Sequence, residues 1–145
     1  MLRNFCEGDI PNLQKNGYGD MDYQALRDLI EEWNRKTHKD RYFEAFAVHA
    51  DEELVGIVSL YQITGFAVSV GMEIFTAHLR KGHAVRAVNE ALKIAKEKGY
   101  TLAMDQVRTD NEASIALHKK LGFETDGYEY QNRRGQPVCL WLKPL

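Results

Sequence analysis

Residues 79–84 read Leu-Arg-Lys-Gly-His-Ala, placing two cations and a glycine where an apolar segment ends and an alanine-rich helical pattern begins. A helix start leaves its first backbone amides without partners, and the helix dipole adds partial positive charge there. An anion such as a diphosphate is stabilised by both. Gly82 removes a side chain that would block close approach, Ala84 keeps the next turn small, and Arg80 and Lys81 add mobile positive charge. The backbone amides of residues 80–84, those of Lys81 and His83 included, form a candidate anion cradle. The turn carries neither a Walker lysine pattern nor a dinucleotide fingerprint, and ordinary helix starts use the same residue types.

The surrounding pattern specifies the elements that must hold this turn. A short strand is expected over residues 2–6, then a brief helix, then a loop containing Gly17 and Gly19 that is a candidate lid. An amphipathic helix follows, with Leu26, Leu29, Ile30 and Trp33 on one side. "YFEAFAVHA" and "ELVGIVSLYQI", separated by Asp51 and Glu52, read as paired strands, and "FAVSVGMEIFTA" reads as a third. Residues 82–98 form a helix with Ala84, Val88, Ala91, Leu92 and Ala95 on one face, stopped by Gly99 in a left-handed cap. "YTLAMDQVRT" is the next strand, and a helix capped by Asp110 or Asn111 runs to Leu121. "FETDGYEYQ" and "QPVCLWLKP" make a closing hairpin through "NRRG". The expected order is β-α-α-β-β-β-α-β-α-β-β.

Composition bounds the rest. The 145 residues suit one domain spanning 1–145, with enough chain to bury a core without disulfides or metal. Hydrophobic residues make up 44%, charged residues 28%, and the net charge is −2, which argues against a nucleic-acid backbone as the main partner. Residues 1–32 hold seven acids against three bases, whereas residues 80–98 hold six bases against two acids. The middle therefore suits an anionic ligand and the front a cationic one, although solvated helix faces show the same bias. Cys6 and Cys139 read as reduced thiols buried in strands. The five histidines show no zinc spacing, so no metal is expected. With no membrane span and no secretory segment, the expectation is a soluble cytoplasmic protein, monomer or homodimer.

Two motifs, in this order and at this spacing, resemble the GNAT superfamily of acyl-CoA-dependent N-acetyltransferases. "GMEIFTAHLRKGHAVRAV" resembles the strand end, pyrophosphate loop and following helix of the family, particularly in its ribosomal-protein alanine acetyltransferase branch. "VRTDNEASIALHKKLGF" resembles the family's second motif. The resemblance covers nearly the whole chain and implies a GNAT-like α/β fold. Its central sheet is mixed and largely antiparallel, with a splay between two strands, and is flanked by helices. It also implies acetyl transfer from acetyl-CoA to a primary amine, a peptide amino terminus or a small amine, by direct attack in a ternary complex. A non-catalytic acyl-CoA-binding module is the alternative.

Site residues follow from the same resemblance. The main chain of Met72, Glu73 and Ile74 would pair with the pantetheine arm, and Asn111 would hold that arm from the other side. The loop pattern usually begins with Gln or Arg, whereas Leu79 stands there, leaving the amides of residues 80–84 to carry most of the pyrophosphate. Lys119 and Lys120 are candidates for the CoA phosphates, with a solvated helix face the plainer role. His118 occupies the position where many members place the tyrosine that protonates the departing thiolate; an imidazolium could donate that proton, and a packed helix histidine is the plainer role. Glu73 is a candidate base, with Ser69, too weak a base alone, suggesting a route through water. Tyr128 and Tyr130 are reserves. Trp33 and Tyr23 are candidates for the acceptor pocket, with core packing the commoner use of such residues. Asp105 and Arg108, three positions apart in a strand, face opposite sides, so no dyad is expected between them.

Overall fold

The computed structural model describes residues 1–145. Strand β1 (Leu2–Asn4) leads through a 3-10 turn into α1 (Ile10–Lys15), and α2 (Tyr23–Asn34) follows a loop. Asp22 starts α2 as expected of an N-cap, its Oδ1 accepting the Ala25 amide at 2.8 Å. Then come β2 (Thr37–His38), β3 (Arg41–Ala50), β4 (Glu53–Gln62) and β5 (Ala67–Ile74). The chain continues with α3 (His83–Glu97), β6 (Leu102–Arg108), α4 (Glu112–Lys120), β7 (Glu129–Gln131) and β8 (Pro137–Pro144). Gly99 is left-handed at φ 98°, as the expected stop for α3 requires. The Oδ1 of Asn111 caps α4 by accepting the Ser114 amide at 3.1 Å.

The sheet runs β1-β3-β4-β5-β6-β8-β7, with β2 attached to β3 off this path. Every pairing is antiparallel except β5 with β6. That parallel ladder contains only two pairs, Ala67 with Leu102 and Val68 with Ala103. Beyond them β5 and β6 part, and this is the expected splay. Alternation on β3 divides the core. Phe46 and Val48 join Val88, Leu92, Val107, Phe123 and Trp141 beneath α3 and α4, while Ala45 and Ala47 join Ile10, Leu13, Leu26 and Ile30 beneath α1 and α2. Each face of the sheet is therefore built from the helix stripe read in the sequence.

Four expectations change. The opening strand ends at Asn4, not residue 6, and Cys6 is an exposed residue outside any strand; Cys139 is half-buried in β8, and both thiols are free. Thr37–His38 adds a strand, turned back onto β3 by Lys39 and Asp40, whose positive φ values of 50° and 62° suit a tight hairpin. "FETDGYEYQ" forms a strand only at Glu129–Gln131. Upstream, Thr125 and Asp126 accept the amides of Gly127 and Tyr128, so local turns take the backbone that a ladder would need, leaving one bridge between Glu124 and Leu142.

Candidate active site

The turn at residues 79–84 is compact because two of its residues adopt left-handed backbone, Arg80 at φ 63° and Gly82 at φ 79°. For Gly82 that conformation costs little; for Arg80 it stores strain. Gly82 is the N-cap of α3, and no side chain caps the helix. By helix geometry the first amides of α3 lack intrahelical acceptors, so this mouth is open to an anion. His83 is nearly buried at the first turn; burial pushes its pKa down, and the positive charge of Arg86 and Lys81 and nearby His78 act the same way. A cavity of about 320 Å³ lies here. Met72, Ile74, Arg80, Gly82, His83, Ala84 and Lys120 line it, joined by Ala113 and Leu117 from α4. Lys81, Asn111 and Glu73 are not among its lining residues.

The place of Glu73 has a backbone cause. Pairing of β4 with β5 runs without a register shift from Val68 to Ile74. The Val70 amide donates toward β6, to Asp105 Oδ1 at 2.9 Å. Strand alternation sends the main-chain groups of Met72 and Ile74 the same way and those of Glu73 toward β4. Consistent with this, a Cβ placed on Gly56 of β4 would collide with the Glu73 carbonyl. The β5 edge left unpaired by β4 and turned toward the splay is therefore Met72 and Ile74 without Glu73. The Glu73 side chain instead lines a second cavity, of about 260 Å³, on the α1 and α2 face of the sheet. Tyr18, Trp33, Phe43, Ser59, Gly71 and Met72 share that lining. The loop containing Gly17 and Gly19 brings Tyr18 over Glu73, hydroxyl to carboxylate at 3.5 Å. Burial raises the Tyr18 pKa and the negative Glu73 adds to it, so the phenol stays protonated. Tyr23 lies outside this cavity, exposed and donating to Glu7 at 2.5 Å.

A third cavity, of about 170 Å³, lies at the splay, walled by β5, β6, α3 and α4. Ser69, Val70, Met72, Asp105, Gln106 and His118 are among the residues lining it. Asp105 and His118 are both buried, 5% and 8% exposed, and meet at 2.8 Å between Oδ2 and Nε2. The other oxygen of Asp105 accepts from Ser69 Oγ at 2.8 Å and from the Val70 amide. His118 Nδ1 faces the Ser114 carbonyl at 2.7 Å. An imidazolium donates to Asp105 from Nε2 and to the Ser114 carbonyl from Nδ1, whereas a neutral ring keeps the Asp105 bond through Nε2–H and can accept the Ser114 hydroxyl, 3.3 Å away, at Nδ1. Burial pushes the His118 pKa down, but the hydrogen bonds to Asp105 and to the Ser114 carbonyl outweigh it and hold it above the ordinary value.

Asp105 is the residue that sequence reasoning passed over. It does not pair with Arg108, which instead binds its neighbour Asp110 at 2.6 Å. The signal was present in "LAMDQVR": Asp105 shares the alternation of buried Ala103 and Val107, and an acid on an apolar face demands a partner. Tyr130 contacts the site from outside, its hydroxyl accepting from Gln106 Nε2 at 3.1 Å, and Tyr128 is 70% exposed.

Comparison with known proteins adds the family. No curated protein sequence matches the chain. Among solved structures, ribosomal-protein-alanine N-acetyltransferase from Brucella melitensis is 20% identical over 100% of this chain and 99% of its own, with a TM-score of 0.74. Spermidine N-acetyltransferase from Vibrio cholerae, solved in complex with CoA and spermine, is 21% identical over 99% of this chain and 94% of its own, with a TM-score of 0.75. RimJ of Mycobacterium smegmatis, in complex with CoA-disulfide, is 16% identical over 99% of this chain and 80% of its own, at 0.83. At such identities the likeness speaks for the fold. The sequence family described as the acetyltransferase (GNAT) domain matches residues 1–124, so the chain belongs to the GNAT acetyltransferases and is an N-acetyltransferase with acetyl-CoA as its acyl donor.

Proposed function

We propose that this protein acetylates a primary amine, a peptide amino terminus or a small cationic amine, by direct attack in a ternary complex. One observation carries the reading. Met72 lines each of these three cavities, the one at the mouth of α3, the one in the splay and the one under Tyr18 and Trp33. A donor held on one face of the sheet and an acceptor held on the other can therefore meet at Met72 without a covalent enzyme intermediate.

The first amides of α3, with Arg80 and Lys120, hold the diphosphate, and the edge of Met72 and Ile74 pairs with the pantetheine arm. Acetyl-CoA supplies an activated carbonyl: the C–N bond to the amine forms as the C–S bond breaks. Glu73 lines the acceptor cavity and is the base, taking the amine proton through water. Its negative charge also favours the approach of an ammonium group. Ser69 serves through its donation to Asp105. His118 has no free N–H to offer a thiolate, since both of its ring nitrogens are engaged. In this reading the leaving thiolate takes its proton from solvent and His118 acts by position.

Release of free CoA thiol from acetyl-CoA, followed with spermidine, with an alanine-led peptide and with no amine, tests the proposal. Amine-dependent release with a mass gain of one acetyl group on the acceptor is the expected result. A folded protein that binds acetyl-CoA yet acetylates neither class of amine overturns it.

A further inference from the structure

We infer that Asp105 is a positioning residue that ties the two walls of the donor cleft together across the splay. Those walls are β5, which contributes Met72 and Ile74, and α4, which contributes Ala113, Leu117 and Lys120 to the same cavity. The β5–β6 ladder stops after Val68 and Ala103. Immediately beyond that point the Asp105 carboxylate stands in for a ladder partner, accepting the Val70 amide and the Ser69 hydroxyl from β5. Its remaining oxygen holds His118, one turn from Ser114 and next to Leu117 on α4. One side chain on β6 thus grips the β5 wall with one oxygen and the α4 wall with the other.

A buried ion pair is a poor way to gain stability alone, because well-packed apolar residues of similar volume do as well or better. Its directional bonds do something apolar packing does not: they fix a separation. Phe123 and Trp141 close around the His118 ring at centroid distances of 4.9 Å and 6.2 Å, and Asp105 is the one charged group acting on it.

The inference rests on the reading of this cleft as the acetyl-CoA site, and its test separates the two. Asp105→Ala cuts both grips. Asp105→Asn keeps them, because the amide oxygen can face Val70 and Ser69 while its NH₂ donates to a neutral His118 whose Nδ1–H still meets the Ser114 carbonyl. Calorimetric titration with acetyl-CoA, on proteins verified as folded, is expected to show affinity about tenfold or more weaker for Asp105→Ala and within about threefold of wild type for Asp105→Asn. In the Asn variant, NMR should find the His118 titration moved to lower pH while binding survives. If Asp105→Ala does not fold, His118→Ala cuts the same tie from the helix side and is read against the same threshold. A folded Ala variant binding within about twofold of wild type overturns the clamp, that difference being too small for a lost charged bond. An Asn variant as weak as the Ala variant also overturns it, since charge and not geometry would then matter. A wild-type protein that binds no acetyl-CoA overturns the underlying reading instead.

Discussion

The Nε2 of His118 and the Oδ2 of Asp105 lie 2.8 Å apart, joining α4 to β6 where the sheet has come apart. The Ser114 carbonyl faces the other ring nitrogen, so protonation of both nitrogens strengthens the pair. The cavity at the mouth of α3, lined in part by α4, thus has an Asp105–His118 tie along its inner side.

That arrangement makes part of the stability depend on pH. The unfolded ring titrates at about pH 6.5, and the folded ring higher. The stabilisation is fully present below about pH 6.5 and is lost as pH rises through the folded value. His49 and His83, held below the ordinary range mainly by burial, act in the opposite sense: their contribution is present above about pH 6.5 and is lost as pH falls. Subtracting the urea-unfolding profile of His118→Gln from that of wild type isolates the pair. The difference should favour wild type at mildly acidic pH and shrink toward alkaline pH. A difference that grows with pH would show that the ring is neutral in the native state.

The fold was largely legible because its signals are local. The alanine face of α3, the Gly99 stop, the Asn111 cap and the alternation of β3 each act within a few residues. Three things were not. The short β2 depends on its turn, where Lys39 and Asp40 accept a left-handed backbone without glycine. The direction of Glu73 depends on register with β4, which no single strand contains. The partner of Asp105 lies on another element, and only the demand for a partner was written in the strand itself.

Gly82 offers a sharper test of the anion cradle than its neighbours do. Asp at this N-cap would place a carboxylate against the amides meant for a diphosphate, and acetyl-CoA affinity should fall by roughly a hundredfold or more as those charged bonds are lost. Stability should fall by about 1 to 2 kcal/mol, the cost of a left-handed non-glycine residue. Near-native affinity by calorimetry on the folded variant would remove the turn from the site. Arg80→Ala should lose less, about 1 to 2 kcal/mol of binding.

Glu73 is separable from the donor cleft because its side chain lies on the opposite face of the sheet. Glu73→Gln should lower kcat/KM for the amine by roughly a hundredfold, a typical general-base contribution. Acetyl-CoA affinity should stay within about twofold of wild type, since no charged contact to the donor is removed. The loss should narrow at high pH, where more of the amine arrives already deprotonated. Wild-type turnover at neutral pH would assign proton removal to solvent and leave Glu73 only an electrostatic part in acceptor binding.

The last prediction decides what His118 does. Two roles are compatible with an imidazolium in the splay: acid to the leaving thiolate, or anchor of α4. Geometry favours the anchor, because Asp105 and the Ser114 carbonyl occupy both N–H groups. His118→Gln distinguishes them, since the amide can still donate to Asp105 but has no proton to yield at neutral pH. The anchor reading expects single-turnover acetyl transfer, at saturating acetyl-CoA and amine, within about threefold of wild type, with any defect appearing in the KM for acetyl-CoA. The acid reading expects transfer to fall by roughly a hundredfold or more while that KM stays put. His118→Phe then serves as the control. It leaves Asp105 buried without its partner, so its stability should drop by about 3 to 5 kcal/mol, and its turnover is informative only at a temperature where it remains folded. A large loss of turnover in the Gln variant, with unchanged acetyl-CoA affinity, would return the thiolate proton to His118 and require the Asp105 bond to open during the reaction.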